Sequence, residues 1–328
     1  MPDFIELTED QRRQFIDAEA VFSALETAQE EAWRHRGFMF WREQSGRNYL
    51  IRSWPNTKQN SLGPESDATR KTYQAFSTRK EQIDHRVSEL REQLDKMQRL
   101  NRALRVGRTP DIVVKVLNTL AKARVARYFL LVGTNALYAY ESAAGVRLPN
   151  DVLATRDADF LYDTRSRAEF VQTMQERGLS FLDLLRKADR TFERHPTDNY
   201  TAVNNNGFEV DVLRRFPPPD LEDSEHPLRM TADDDDLWAV RASTGQKLLS
   251  VPTFSQVVVS TNGQMARVRT VHPLAFARIK RQLSLDRGRD PLKAPKDAAQ
   301  ATLVEELVRE YMPQYLESAG VEPGSAAN

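Results

Sequence analysis

The sequence predicts an α/β protein with a mixed β-sheet core, an N-terminal helical region and a C-terminal helical subdomain. Helix-type apolar periodicity dominates both ends of the chain, whereas short apolar runs bounded by turn residues alternate with helical segments in the middle. With 328 residues, of which 40% are hydrophobic and 29% charged, the chain is long enough to bury a core. We therefore divide it into residues 1–108, 109–271 and 272–328.

The N-terminal region begins with a helix. The capping-box sequence Thr8-Glu9-Asp10-Gln11 leads into an apolar-periodic run that we expect to end near Gly37. The aromatic-rich segment 38–54 is typical of a short hairpin, and the composition of 55–67 is typical of a loop. A second, long helix is predicted from Arg70 onwards.

Two interpretations of the long helix remain open. Its apolar residues recur in alternating steps of four and three, apart from a last step of seven, at Ile83, Val87, Leu90, Leu94, Met97 and Leu104. We favour a helix packed on a neighbour over a dimeric coiled coil, and the oligomeric state stays open. Residues 70–108 hold eleven basic and five acidic side chains. We favour a solvated helix over a nucleic-acid surface, because the basic residues spiral around the helix.

The middle region begins with a helix and a strand. Thr109-Pro110 predicts a helix start with the threonine as cap. The apolar run 127–132 ends at Gly133-Thr134, and the following segment, 135–144, is helix-like with Gly145 as its C-cap.

Strands and helices then alternate to the end of the chain, and the tail after residue 316 is expected to be frayed. The predicted strands are 154–161, 208–213 and the hairpin 253–260 with 265–271, and the predicted helices are 166–187, 272–285 and 296–316.

Carboxylates cluster on two of these strands. Side chains alternate between the faces of a strand, so Asp157 and Asp159 point the same way, as do Glu209 and Asp211. Such packing is unfavourable because like charges raise each other's pKa, unless a cation lies between them. Since the chain has no cysteine and no paired histidines nearby, this oxygen set favours Mg²⁺ or Mn²⁺ over Zn²⁺.

The residues before the acidic strand suit a phosphate group. Gly133 permits close backbone approach, the amides and helix that follow favour anionic oxygens, and Thr134 adds a hydroxyl donor. Followed by Asp157, Asp159 and Asp211, this order predicts attack of a hydroxyl on the α-phosphate of a nucleoside triphosphate, promoted by two metal ions, with release of pyrophosphate. Asp211 is the best candidate to accept the hydroxyl proton.

These residues resemble the nucleotidyltransferase superfamily related to DNA polymerase β, whose signature is Gly-Gly or Gly-Ser, then Asp-x-Asp, then a third Asp on a separate strand. Gly133-Thr134, Asp157-Ala158-Asp159 and Asp211 match this order, with Thr134 in place of the commoner Gly or Ser. The resemblance covers about 109–301 and is greatest to a poorly characterised bacterial branch of nucleotidyltransferase-like proteins.

The resemblance implies a nucleotidyltransferase-type fold, divalent metal held by the three aspartates, and binding of a nucleoside triphosphate such as ATP. Related enzymes place a lysine against the triphosphate, in a helix that corresponds to residues 272–285 of this chain. The resemblance assigns this role to Lys280. Arg281 remains open between phosphate binding and solvation. The family pattern favours Asp211 over Glu209 as the third ligand, and the resemblance extends over 287–297 without assigning residues there.

The acceptor and the biological role are further expectations. More than a third of the chain lies outside the minimal core and could form a platform for RNA or protein, so we favour a macromolecular hydroxyl acceptor. Related branches include toxins and defence proteins. Two alternatives are a catalytically inactive nucleotide-binding regulator and a helical nucleic-acid-binding protein.

Charge and hydropathy add two expectations. Lys plus Arg and Asp plus Glu are both 47, so net charge gives no argument for a polyanionic partner. The N-terminus does not resemble a signal peptide, and no apolar stretch reaches membrane-spanning length. We therefore expect a cytoplasmic protein with no membrane partner.

Overall fold

A computed structural model describes residues 4–55, 58–217 and 227–316. The chain forms two compact units, one consisting of Met1–Arg12 with Leu104–Asn328 and the other of Arg13–Ala103. Across the described ranges, no helix has both the length and the apolar character needed to cross a membrane.

The structure alternates helices and strands after a helix-rich start. Over the described residues, the strands are β1 (Ile5–Glu6), β2 (Phe38–Gln44), β3 (Arg47–Ser53), β4 (Gln59–Pro64), β5 (Phe129–Val132), β6 (Val146–Arg147), β7 (Asp157–Tyr162), β8 (Glu193–Arg194), β9 (Thr201–Val203), β10 (Glu209–Arg214), β11 (Leu228–Arg229), β12 (Trp238–Arg241), β13 (Thr253–Val259) and β14 (Met265–Val271). Over the same residues, the α-helices are α1 (Glu9–Arg34), α2 (Asp67–Ala103), α3 (Asp111–Lys122), α4 (Leu137–Ala144), α5 (Asn150–Leu153), α6 (Arg167–Arg177), α7 (Phe181–Ala188), α8 (Gly245–Ser250), α9 (Pro273–Ser284) and α10 (Lys293–Tyr311).

The unit Arg13–Ala103 contains most of α1, a small sheet and α2. The predicted hairpin is confirmed as β2 and β3, joined by a turn in which Ser45 and Gly46 both have positive φ. Inside this unit α1 and α2 are joined by a buried bond, in which Gln14 Nε2 donates to Asn101 Oδ1 at 3.0 Å.

The prediction of a loop over 55–67 is wrong for the residues that form β4. This strand pairs antiparallel with β3 although nearly all of its side chains are exposed. Backbone pairing forms the strand without an apolar face, so no alternating pattern marks it in the sequence. Residues 56 and 57 lie outside the described residues.

The other unit is built on a mixed sheet, as the sequence predicts. The order β5-β7-β10 forms its centre, with β5 antiparallel and β10 parallel to β7. The far side of β10 pairs with β9 along its first half and with β12 along its second half. β11 pairs with β12, and β8 pairs with β9.

One face of this sheet is apolar and supports the strands that carry the aspartates. Ala158 and Phe160 are buried at 1% exposure each, whereas Asp157 and Asp159 point to the opposite face. Behind the sheet, the ring of Phe129 packs against those of Phe160, Tyr162, Phe170 and Phe181. Burying one such ring contributes roughly 1.5–3 kcal/mol to the stability of the fold. This aromatic cluster therefore stabilises the strands that carry the aspartates.

The prediction of Thr109 as a helix cap is wrong. Pro110 occupies the N-cap position of α3, and among the described residues no side chain caps this helix. A residue before proline is restricted to extended conformations, and Thr109 accordingly pairs with Ser260 as an isolated parallel bridge. The carboxylate of Asp111 instead accepts a hydrogen bond from the backbone N–H of Asn262 at 3.1 Å.

The helical stretch predicted over 166–187 is divided into α6 and α7. Gly178 ends α6 in the left-handed conformation, and a capping box between Ser180 and Asp183 starts α7. The hairpin β13–β14 and the two last helices are confirmed, with α10 starting three residues earlier and ending at Tyr311. The tail predicted to be frayed, 317–328, lies outside the described residues.

Candidate active site

Three carboxylates meet on the open face of the central sheet. In the parallel pairing of β7 with β10, Asp159 is the partner of Asp211 and Asp157 is the partner of Glu209. Oxygen atoms of Asp157, Asp159 and Asp211 all lie within 4.8 Å of one another. Glu209 shares this face, but the group found among the described residues contains Asp211 instead. The choice of Asp211 as the third metal ligand stays a prediction.

Neighbouring side chains orient two of these carboxylates. Thr201, the antiparallel partner of Asp211, donates its hydroxyl to Asp211 Oδ1 at 2.5 Å. Thr155 donates its hydroxyl to Asp157 Oδ1. Each of these carboxylates is therefore held in a defined direction through its Oδ1 atom.

The carboxylates repel one another electrostatically. Burial, followed by the charges of Asp157 and Asp211, raises the pKa of Asp159 to about 7, while Lys280 and Lys293 partly oppose this rise. Burial also raises the pKa of Asp211, although the hydrogen bond from Thr201 opposes it. A bound cation would remove this penalty, because opposite charge favours the ionised form.

The donor set fits a hard divalent cation. The three aspartates offer only carboxylate oxygen atoms, on a face that is partly exposed. Mg²⁺ and Mn²⁺ prefer such ligands, whereas zinc prefers sulfur and nitrogen. The chemistry of the site therefore agrees with the metals expected from the sequence.

Gly133 is required where β5 ends beside Asp159. Its φ of +66° is a conformation that side-chain-bearing residues rarely adopt. A Cβ built at this position would overlap the Asp159 carboxylate. The preceding residue, Val132, is the antiparallel partner of Asp159. Glycine at this position therefore leaves the space that the Asp159 carboxylate occupies.

Thr134 and Lys280 each contact a residue of α10. Thr134 starts a 3₁₀ turn before α4, and its Oγ1 accepts a hydrogen bond from Gln300 Nε2 at 3.2 Å. Lys280 Nζ lies 2.7 Å from Asp297 Oδ1. Asp297 is only 2% exposed, and its Oδ2 accepts from Arg289 Nε at 2.7 Å. One buried carboxylate thus holds two cations, which leaves this cluster with a net positive charge.

Two further lysines lie near the carboxylates. Lys296 Nζ donates to the carbonyl of Ala154 at 2.6 Å, close to the start of β7. Burial, followed by the positive charge of Lys280, lowers the pKa of Lys296. Lys293 interacts electrostatically with both Asp159 and Asp211. The first turns of α10 therefore present positive charge next to the acidic group.

A cavity of about 360 Å³ lies at the junction of these elements. Gly133, Asp159, Lys280 and Arg289 line one part of it, so the structure brings three of the sequence-predicted site residues together there. Its apolar lining includes Val132, Leu213, Leu248, Phe276, Ile279 and Leu283. Asp157, Asp211 and Thr134 are not among its lining residues.

Seven residues of this site were not assigned from the sequence: Thr155, Thr201, Arg289, Lys293, Lys296, Asp297 and Gln300. Thr201 is separated from Asp211 by ten positions and meets it only through strand pairing. Asp297 and Gln300 are three residues apart on α10, a spacing that places them on the same face of a helix. Both are buried, at 2% and 0% exposure. Polar residues on an otherwise apolar helix face are the signal that could have identified them.

Comparison with known families agrees with the arrangement. A family model described as Nucleotidyltransferase matches residues 111–322, well over half of the chain. The chain belongs to this nucleotidyltransferase family. No match was found among curated proteins or among solved structures. Membership of this family implies a nucleotide substrate and confirms the superfamily that the sequence motifs indicated.

Proposed function

We propose that this protein is a metal-dependent nucleotidyltransferase, which moves a nucleoside monophosphate from a nucleoside triphosphate to a hydroxyl acceptor and releases pyrophosphate. The observation that carries the proposal is the group formed by Asp157, Asp159 and Asp211 on adjacent parallel strands. Gly133 supports it because the missing Cβ leaves room for the carboxylate of Asp159, one of the three proposed metal ligands.

The three aspartates would hold two Mg²⁺ or Mn²⁺ ions. When bound, such ions neutralise charge on the α-phosphate and lower the pKa of the attacking hydroxyl. Asp157 and Asp159 extend from the same face of β7, and Asp211 approaches from β10. The raised pKa of Asp159 means that protons compete with the cation for this carboxylate near neutral pH.

Asp211 is the residue to which we assign the proton. The acceptor oxygen forms a bond to the α-phosphorus while the bond from this phosphorus to its leaving oxygen breaks, and pyrophosphate departs with the electron pair. The hydroxyl proton passes to Asp211, the carboxylate that stands on β10, apart from the Asp157 and Asp159 pair of β7. Thr201 donates to Oδ1, so Oδ2 is the atom that we expect to take the proton.

The cavity beside Asp159 is our candidate for the nucleotide. Lys280 and Arg289 offer two cations to the triphosphate, and the apolar lining around Phe276 offers a surface to the base or sugar. Its volume of about 360 Å³ lies within the range of ligand sites in proteins. Gly133 and Thr134 would contact phosphate oxygens from the end of β5.

For the acceptor we favour RNA or a protein over a small molecule. The family match begins at residue 111, and the long helices before it supply a surface that the transfer reaction does not need. A role as a toxin or a defence protein would follow if the acceptor is essential to the cell.

The test is label transfer from each of four α-labelled nucleoside triphosphates, with Mg²⁺ or Mn²⁺, into cell extract separated into RNA, protein and small molecules. The double variant Asp157→Ala, Asp159→Ala should transfer none. Asp233→Ala, Asp234→Ala removes the same charge from an exposed loop and should transfer normally. Label in one fraction with the intact protein only would identify the acceptor class. Metal-dependent nucleotide binding with no transfer into any fraction would contradict the proposal and favour an inactive regulator.

A further inference from the structure

We propose that Gln300 is a positioning residue for the nucleotide, because it makes the Thr134 hydroxyl available as a hydrogen-bond donor to a phosphate oxygen. This inference rests on the proposed function, since it requires a nucleotide phosphate at the end of β5. It assigns a role to a buried side chain of α10 that the transfer chemistry itself does not use.

The contacts of Gln300 connect three elements. Its Nε2 lies 3.2 Å from Thr134 Oγ1 and 2.8 Å from the carbonyl oxygen of Val152. Gln300 has 0% exposure, whereas Thr134 is only partly buried. A side chain of the interior therefore holds a hydroxyl that lies at the edge of the site.

The carbonyl of Val152 fixes the orientation of the amide. Amide nitrogen and oxygen are told apart by the hydrogen bonds they make. A backbone carbonyl can only accept a hydrogen bond, so the amide atom next to it must be the NH₂ group. Exchanging the two amide atoms would place Oε1 against the Val152 oxygen, which is repulsive.

The consequence for Thr134 concerns its own hydrogen. The amide group of Gln300 carries two hydrogens, of which one is directed to Val152 and the other to Thr134 Oγ1. Thr134 Oγ1 is therefore an acceptor in this bond. Its hydroxyl hydrogen remains available to another acceptor, and a phosphate oxygen is the anionic acceptor that the proposed reaction brings to this loop.

The oxygen of the Gln300 amide shows that packing alone does not explain why a glutamine occupies this position. Among the described residues no group donates to Gln300 Oε1, although this atom is buried. Burying an unsatisfied carbonyl is unfavourable, and methionine would fill the space without this cost. The two bonds donated by Nε2 are the remaining reason for an amide at this position.

The threonine at position 134 fits the same role. A β-branched side chain has restricted χ1 rotation, so the direction of its hydroxyl is set by the side chain and by Gln300 together. Asp297, which holds Lys280, lies three residues before Gln300 on α10. The same face of α10 therefore positions both a cation and a hydroxyl for the phosphates.

A double-mutant cycle tests this role. The variants are Gln300→Met, Thr134→Val and their combination, and the measurement is calorimetric titration with the α,β-methylene analogues of the four nucleoside triphosphates, in Mg²⁺. These analogues bind without releasing pyrophosphate. Each single variant is expected to weaken binding about tenfold, since a hydrogen bond to a charged group is lost or weakened. The combined variant should bind no more weakly than Thr134→Val alone, and Thr134→Ser should stay within about threefold of the intact protein.

Additive losses in the combined variant would overturn the inference, because Gln300 would then act without Thr134. If Gln300→Met does not fold, Gln300→Leu replaces it, because this side chain also lacks a hydrogen-bond donor and should produce the same non-additive loss. Tight binding with an additive cycle contradicts this inference alone. Failure of the intact protein to bind any of the four analogues contradicts the proposed function as well.

Discussion

Asp159 is the direct partner of Asp211 in the parallel pairing of β7 with β10. On its other side, Asp159 faces the end of β5, where Gly133 leaves space for its carboxylate. Backbone hydrogen bonding between strands thus imposes the proximity of two like charges. The protein cannot relieve their repulsion by rotating a loop, and a cation or a proton is the remaining means of relief.

The first prediction concerns pH and the metal-free protein. The pKa of Asp159 is raised from 3.8 to about 7, so between these values the folded state binds a proton more strongly than the unfolded chain. Stability in EDTA should therefore fall as the pH rises through this window and level off above it. Thermal unfolding from about pH 5 to pH 8 measures this fall, and Asp159→Asn should flatten it. An equally steep fall in Asp159→Asn would show that other groups cause it.

The second prediction is that Asp159→Asn stabilises the metal-free protein at about pH 8 while it removes the response to metal. A neutral amide avoids the repulsion, and the rise in the pKa of Asp159 from 3.8 to about 7 sets an upper limit of roughly 4 kcal/mol on this gain. Saturating Mg²⁺ should raise the melting temperature of the intact protein. At a concentration 100 times the dissociation constant, the free energy of unfolding should increase by about 2.7 kcal/mol. Asp159→Asn should show little increase. A rise equal to that of the intact protein would place the metal elsewhere.

The third prediction compares two glycines. Gly133→Ala should destabilise the protein and reduce transfer at least a hundredfold, because the new Cβ would displace the Asp159 carboxylate. Gly178→Ala is the matched control: its φ of +59° carries a similar backbone cost, but within the described part of the chain the added Cβ would meet no atom within 4 Å apart from its own local backbone. It should lose about 1 kcal/mol of stability and keep its activity. Equal effects on activity would mean that backbone strain alone explains the role of Gly133.

The fourth prediction compares two neighbouring cations of α9. Lys280→Met should raise KM for the nucleotide at least tenfold, because it removes a cation from the cavity that contains Asp159. Arg281→Met removes the same charge from a side chain that forms an ion pair with Glu305. The KM of this variant for the nucleotide should change less than about threefold. Similar KM values for both variants would remove Lys280 from the nucleotide site. This comparison also decides the question that the sequence left open for Arg281.

Asp297→Asn provides a fifth prediction. The amide keeps the shape of Asp297 but removes the charge shared by Lys280 and Arg289. Breaking a buried ion pair on one side costs about 3–5 kcal/mol, so the melting temperature should fall. Nucleotide KM should also rise, since Lys280 and Arg289 lose the carboxylate that fixes their positions. A lower melting temperature with unchanged KM would show that Asp297 supports only the fold.

Local sequence predicted the parts of the site that depend on strand alternation. Asp157 and Asp159 share a face because they are two residues apart, and the buried Ala158 between them follows from the same rule. The glycine that ends β5 was predicted from its order before the acidic strand. These features need only neighbours in sequence, together with the order of motifs.

The rest of the site depends on pairing and packing over long distances in the chain. Thr201 reaches Asp211 only because β9 pairs antiparallel with β10. Gln300 reaches Thr134 across 166 positions, which no local pattern contains. The errors have similar causes: β4 is a strand through its pairing with β3, and Thr109 is extended because proline follows it.

A crystal structure of the protein with Mn²⁺ and an α,β-methylene nucleoside triphosphate analogue would test the three-aspartate metal site without relying on turnover. The manganese can be located by its anomalous scattering. We expect manganese bound to carboxylate oxygens of Asp157, Asp159 and Asp211, with the triphosphate between these ions and Lys280. Manganese bound away from the three aspartates, or a triphosphate that does not contact it, would contradict the proposed site.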